Sequence, residues 1–481
     1  MDKHVRQWLN APEIPQGRSP CTSGESEVSL SRRMLVFSFH APPEKAVGGL
    51  RWWGFSQYLT ALGWEVRTLT ASSGAEEEPV PAGIQVAHVP RLTTLGDRYR
   101  DWRRSRRGTR GRNSTSGGIA REGAKPSGNP GSASSGEAGR GGLRRLASGL
   151  LSVPDHGRGW ILRAAMAGRR AVREFEPDVI VSTGPPHSVH LAARLARSRT
   201  RIPWVLDLRD PWAAYSHSSN GDGWTRALRG KLESLTLPAA DLVLTTTPEL
   251  RSGLATRFPD SVVEWLPNGV DLSSLPDRGG VGRFQGLSLS HVGSLSYRRD
   301  PRPAISAFAS FLARNRDAEE AGSTLRFVGG ISRDFAADLG RLRESLGIRD
   351  HVEMLGLVSR ENALEVLCRS TAALVLAQGQ DFMVPAKIYE AVALGIPTLI
   401  LTERGSATAN EGERLGAAVF EPDDQQGVIG YLEGLWSGSC VLEPNPPSRI
   451  SQEHLAGTLD ASLRRLLASD TGTGGLSLTE S

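Results

Sequence analysis

Cysteine is almost missing from this chain: 481 residues contain Cys21, Cys368 and Cys440, far apart and without a CxxC pair. That excludes a disulfide scaffold and a cysteine-based zinc site, and it fits a reducing compartment. Long apolar runs are missing too. No stretch approaches the roughly 18 residues a membrane-spanning helix needs, and residues 1–31 lack the apolar core of a signal peptide. Among the devices that carry common chemistry, there is no GxGxxG after the first apolar run, no GxxxxGK[ST], no HExxH and no Asp-x-Asp. These gaps argue against a standard dinucleotide site, a P-loop NTPase, a zinc protease and a divalent ion held on a nucleotide sugar. Lysine is also scarce, five of the 57 basic residues, so arginine carries nearly all the positive charge.

What is present is enough for large cores. The chain is 39% hydrophobic and 23% charged, and its length predicts two domains with additions. The net charge of +5 is unevenly spread. Residues 97–145 hold 13 Arg or Lys against four acids, and Gly and Ser supply 17 of the 35 residues from 108 to 142. Such a segment cannot bury enough apolar surface to offset its ordering entropy, so it reads as a basic, disordered insertion. The rest of the chain then carries −4.

On either side of the insertion, short continuous apolar runs alternate with helical patterns. In the first half they are 34–39, 65–69, 84–89, 178–182, 204–207 and 241–245. In the second half they are 287–292, 325–328, 352–355, 372–376 and 398–401. Strands buried on both faces read this way, so two doubly wound α/β domains with parallel sheets are expected. The boundaries expected are a tail over 1–31, a first domain over 32–270, a linker over 271–286 and a second domain over 287–445. A late helix spans about 450–468, with a tail over 469–481. The helix after Gly48-Gly49 is expected to bury Trp53, Phe55, Leu59 and Leu62.

In such sheets ligands bind beyond the carboxyl ends of strands, and five loops there hold candidates. Gly48 and Gly49 open a helix and let backbone N–H groups approach an anion, or simply make a turn. His187, in Gly184-Pro185-Pro186-His187, sits where a helix begins; it is a proton-sharing group or a packing residue. Asp210 belongs to a charged cluster, Asp207-Leu208-Arg209-Asp210, where a buried strand ends; the alternative is a local ion pair with Arg209. Arg298 and Arg299 suit a diphosphate through bidentate contacts, or form a solvated pair. Lys387 and Glu390 share one face of a helix whose first turn holds Pro385, so they make a phosphate-and-ribose site or an i,i+3 salt bridge.

Taken together, these residues resemble the GT-B glycosyltransferases, specifically retaining family 4 and its surface-polysaccharide subgroup. The resemblance runs from Met34 to about Leu467, the insertion excepted. Its most specific parts are Leu266-Pro267-Asn268-Gly269-Val270-Asp271, similar to an interdomain PNGVD signature, and Pro385-Ala386-Lys387-Ile388-Tyr389-Glu390, similar to a PxKxxE donor-site helix. It implies a second domain binding a UDP- or GDP-sugar, a first domain holding a saccharide or lipid-linked acceptor, and a last helix crossing back to the first domain. It implies no cofactor and no metal, with cations and helix dipoles stabilising the departing diphosphate. His187 and Asp210 would line the reaction centre, Glu390 would bind ribose, and Gly48, Gly49, Arg298, Arg299 and Lys387 would face phosphate. The family's acidic sugar contact, eight positions before Glu390, corresponds here to Phe382 with Asp381 beside it. Two rivals remain: a nucleotide-sugar 2-epimerase of the same fold, and a membrane- or nucleic-acid-binding protein acting through the basic insertion. A cytoplasmic protein, peripheral at the inner membrane face, is the expected location.

Overall fold

A computed structural model describes residues 31–42, 47–73, 80–94, 153–213, 223–296, 299–440 and 447–472. Arg298 and the expected insertion over 97–145 therefore lie outside the described residues. Two parallel sheets organise what is described, as the run pattern predicts. The first has seven strands in the order β3-β2-β1-β4-β5-β6-β7: β1 Arg32–Ser38, β2 Trp64–Thr70, β3 Ile84–His88, β4 Val179–Gly184, β5 Trp204–Leu208, β6 Leu242–Thr245 and β7 Val263–Trp265. The second has six, β10-β9-β8-β11-β12-β13: β8 Ser288–Val292, β9 Thr324–Val328, β10 Val352–Gly356, β11 Ala372–Leu376, β12 Thr398–Leu401 and β13 Ala418–Phe420. The edge strands β7 and β13 are absent from the sequence reading. Each is three residues long and only half-buried, so neither leaves a continuous apolar run.

In both sheets strand order reverses beside the first strand, between β1 and β4 and between β8 and β11. Loops diverge at such a point and leave a crevice. The core strands are near-continuous apolar runs because helices cover both faces. Leu35 and Phe37 of β1 pack one way, with Trp160 and the helix Ser188–Arg197. Met34 and Val36 pack the other, with Trp52, Phe55 and Leu59.

The helix Val47–Ala61 differs from expectation in register. Its core face is Trp52, Phe55 and Leu59, spaced i, i+3, i+7. Leu62 is 40% exposed, and Trp53 lines the crevice. Gly49, in the first turn, is buried against the end of β1: an added Cβ would lie 2.7 Å from the His40 carbonyl oxygen and 2.9 Å from its carbon. An alanine in a helix normally gains up to about 1 kcal/mol over glycine. Here the neighbour is backbone and cannot swing aside, so Gly49→Ala is expected to destabilise by about 1–3 kcal/mol. A urea midpoint at or above wild type would show that the loop yields.

The two halves are joined twice, and the two crossings run side by side. Val270 of the Pro267-Asn268-Gly269-Val270 segment bridges Ser451 in parallel. Val270 N donates to Ile450 O at 2.8 Å, and Gln452 N donates back to Val270 O at 2.8 Å. Gly269 turns this corner at φ +64°, where a Cβ would lie 2.8 Å from Ile450 O, a conformation and a space that only glycine fits. Beyond the second crossing the helix Gln452–Gly472 lays Leu455, Ala456, Leu459 and Leu463 onto the first sheet's cluster. The Trp64 indole donates to Asp460 at 2.7 Å. Among the described residues no helix is long and apolar enough to cross a membrane.

Candidate functional site

The two switch points open onto one crevice of about 730 Å³. The first half supplies the loops after β1, β4 and β5, with His40, Pro185, Arg209 and Asp210. The second half supplies Arg299 after β8, Gln380 after β11, and Pro385 and Glu390 at the helix Lys387–Ala393. Asp210, Arg299 and Glu390, three of the residues singled out in sequence, thus share one cavity. His187, Asp381, Lys387 and Gly49 do not line it.

The charged cluster after β5 is built differently from a local ion pair. Asp207 is fully buried and turns back into the domain. It accepts from Trp52 Nε1 at 2.6 Å and Thr183 Oγ1 at 2.7 Å, and it pairs with Arg51 at 3.4 Å. Arg51, 4% exposed, also donates to the carbonyls of Leu266, at 2.8 Å, and Pro267. One buried ion pair therefore ties the Val47–Ala61 helix, the end of β5 and the crossing segment together. Arg209 instead donates to the carbonyls of Gly184 at 3.1 Å and Pro185 at 2.7 Å, which fixes the loop of two cis prolines that walls the crevice. That leaves Asp210 facing the cavity. Burial raises its carboxyl pKa, opposed by Arg209 and by Arg299 from the other half. A carboxyl whose pKa is raised, placed in a cleft, suits proton exchange with a hydroxyl.

His187 lies behind that wall. Its ring stacks on Trp212, with centroids 5.0 Å apart and planes at 16°, and burial lowers its pKa to about 4, helped by Arg209 and Arg229 against Asp155. His291, near the end of β8, is lowered to about 4 for the same first reason and binds Leu374 O at 3.0 Å. Both histidines are thus held neutral when folded and take a proton readily when unfolded. Between about pH 6.5 and 4 the unfolded state binds more protons, so stability rises with pH, by about 1.4 kcal/mol per pH unit for each histidine. The urea midpoint is expected to fall steadily from pH 7 to pH 5, and His187→Gln should flatten that slope. An unchanged slope would show that His187 takes up its proton over the same pH range in the folded and unfolded chain.

In the second half, the loop after β8 is held by its neighbours. Asp300 N donates to Gln378 Oε1 at 3.2 Å while Gln378 Nε2 donates to Asp300 O at 2.9 Å. Arg299 pairs across a short bridge with Ser296 and lines the same cavity as Asp210. Glu390 receives Lys387 Nζ on Oε2 at 2.7 Å and Arg360 on Oε1 at 3.0 Å. Lys387 and Glu390 thus form the i,i+3 pair that the spacing allowed, and Arg360, at the start of the helix Arg360–Arg369, was missed. It lies 30 residues away, and no local spacing announces it. Each carboxylate oxygen has a second lone pair, so Glu390 retains acceptor capacity toward the cavity.

Asp381 is half-buried outside the cavity lining, and its carbonyl accepts from Ala407 N at 2.9 Å. Phe382 turns the other way, onto the first half's cluster, and its carbonyl accepts from Thr247 Oγ1 at 3.0 Å. This loop therefore fastens the halves together beside the cavity. Gly48 lies in the first turn of its helix. Among the described residues no cluster of three or more His, Cys, Asp or Glu is placed to hold a metal ion.

Residues 124–269 match the family model described as a glycosyl transferase 4-like domain. The match begins inside the segment read from composition as an insertion and ends at Gly269. No curated protein matches the sequence. Solved structures share the fold over nearly the whole chain. Sucrose-phosphate synthase from Thermosynechococcus elongatus is 13% identical, covers 91% of this chain and 100% of its own, and superposes with a TM-score of 0.58. HepE from Anabaena, in complex with UDP, is 14% identical over 90% and 100%, with a TM-score of 0.57. WaaG, a glycosyltransferase involved in lipopolysaccharide biosynthesis, is 15% identical over 88% and 94%, with a TM-score of 0.50.

Proposed function

We propose that this chain, a glycosyltransferase with a glycosyl transferase 4-like domain and the GT-B fold, moves a hexose or hexose derivative from a UDP- or GDP-sugar to a saccharide or lipid-linked acceptor. The observation that carries the reading is the convergence of Asp210 and Arg209 with Arg299, Arg360 and Glu390 on one crevice between the halves. A donor there would set its ribose against Glu390. Arg299 is the cation nearest in role to a diphosphate, with Lys387 behind it on Glu390. Fixed guanidinium and ammonium groups in a cleft stabilise the charge that develops as a diphosphate leaves. Asp210, with its raised pKa, is the acceptor-side carboxyl, and His187 is proposed to position it by backing the Pro185-Pro186 wall. Retention at the anomeric carbon is carried over from the family 4 resemblance. HepE was solved with UDP, which supports testing uridine nucleotides first.

Calorimetric titration with UDP and GDP tests the donor site. Incubation with a radiolabelled nucleotide sugar, with and without saccharide acceptors, tests transfer. The reading expects one nucleotide to bind and raise the melting temperature by mass action, and label to move only when an acceptor is present. Failure of both nucleotides to bind sinks it, and so does isomerisation of the donor alone.

A further inference from the structure

The first sheet has a second pocket, of about 930 Å³, at its other end. It lies where the chain enters β5 and β6, beneath the helix Gln452–Gly472, so the length of the strands separates it from the crevice. Five arginines line it, Arg194, Arg197, Arg199, Arg201 and Arg465, against two carboxylates, Asp241 and Glu264. Both carboxylates are already engaged. Asp241 pairs with Arg197 at 2.7 Å, and Arg197 also donates to the carbonyls of Ile202 and Ala239. Glu264 takes Arg465 at 3.3 Å and Ser462 at 2.6 Å. Arg194, Arg199 and Arg201 are exposed, and among the described residues none of them has a carboxylate partner.

Arg194 stands on the helix Ser188–Arg197, and the turn after it, which presents Arg199 and Arg201, is strained and held. Arg199 sits at φ +83°, one of two non-glycine residues with a positive φ among the described residues, a conformation that costs free energy for a residue with a Cβ. The turn cannot relax freely. Thr200 N and Oγ1 both donate to Arg197 O, at 2.9 and 2.8 Å, and Arg169 donates to Ser198 Oγ at 2.9 Å and to Leu195 O at 3.0 Å. The last turns of the helix Ser188–Arg197, with Arg194, and the pinned, strained turn after it, with Arg199 and Arg201, thus bring three guanidinium groups to one concavity. Like charges repel there unless an anion joins them, and guanidinium forks match phosphate oxygens in bidentate geometry.

We propose that this pocket binds a phosphate-bearing anion, either a soluble polyphosphate or the headgroup of an acidic lipid, at a site separate from the crevice. The proposal does not depend on the glycosyltransferase reading. The test compares the full chain with Arg194→Gln/Arg199→Gln/Arg201→Gln. One arm is calorimetric titration with tripolyphosphate. The other is co-sedimentation with phosphatidylcholine vesicles with or without about 20 mol % phosphatidic acid, in low salt, where such contacts are least screened. The wild type is expected to bind one of the two probes, and the variant to bind it at least about tenfold more weakly while melting within about 2 °C of wild type. Loss in the titration alone identifies a soluble anion, and loss in sedimentation identifies a lipid headgroup. A wild type that binds neither probe, or a variant that binds both as well as wild type, overturns the proposal. Arg199→Gly separates binding from folding, because it removes the guanidinium and relieves the positive φ. It is expected to bind more weakly and melt no lower than wild type; unchanged binding with a lower melting temperature would make Arg199 a structural residue and refute its part in the site.

Discussion

Asp207→Ala is expected to remove about 3–5 kcal/mol of stability, because it strands a buried guanidinium without its counter-charge. The carboxylate is fully buried and accepts from Trp52, Thr183 and Arg51 at once. Arg51 would then keep the carbonyls of Leu266 and Pro267 and the Asn268 side chain as acceptors and its place over the Phe55 ring, none of which supplies a counter-charge. The measurement is the urea midpoint of the first half, followed by tryptophan fluorescence, since Trp52 changes surroundings with the transition. Arg51→Met combined with Asp207→Ala is expected to lose less than Asp207→Ala alone, as the stranded charge is gone. A loss under about 1 kcal/mol for the single variant would show that water reaches Arg51 and solvates it.

Glu390→Ala is expected to weaken nucleotide binding by about tenfold to a hundredfold, the value of one or two hydrogen bonds to a charged acceptor. It also frees Lys387 and Arg360, each about a third exposed, so water offsets much of the lost ion pairing and the cost in stability stays small. That separation makes the experiment informative. Calorimetry with UDP and GDP should show weaker binding while the melting temperature of the free chain barely moves. Unchanged affinity for the nucleotide that binds wild type would confine Glu390 to organising its own helix. Glu390→Gln, which keeps an acceptor oxygen and loses the charge, is expected to fall between the two.

Much of the architecture is legible in the amino-acid sequence. Buried parallel strands need continuous apolar runs, and runs such as Val179-Ile180-Val181 and Leu374-Val375-Leu376 announce themselves. The helices between them announce themselves less well. The sequence pattern puts Trp53 on the inner face of the Val47–Ala61 helix, whereas the fold buries Trp52, because both registers leave apolar residues at helical spacing and only the neighbouring sheet distinguishes them. The short strands β7 and β13 were invisible for a related reason. An edge strand of three half-buried residues needs no apolar run of its own, only a neighbour that offers hydrogen bonds.

The chemistry-bearing residues divide in the same way. Sequence alone determined which loops carry charge at strand ends, the Pro267-Asn268-Gly269-Val270 crossing, and the Lys387–Glu390 spacing, because each is a pattern within a few consecutive residues. Only the tertiary structure decided what those charges meet. Asp207 finds Arg51 from 156 residues away and not Arg209 two residues on, Glu390 gains Arg360, Phe382 turns into the opposite half, and Arg194, Arg199 and Arg201 gather around a pocket no motif describes. For the charged groups the physical reason is the same. Local spacing sets which side chains share a face, whereas the partner of a buried or crowded charge depends on which distant segment the packed sheets bring within hydrogen-bond distance.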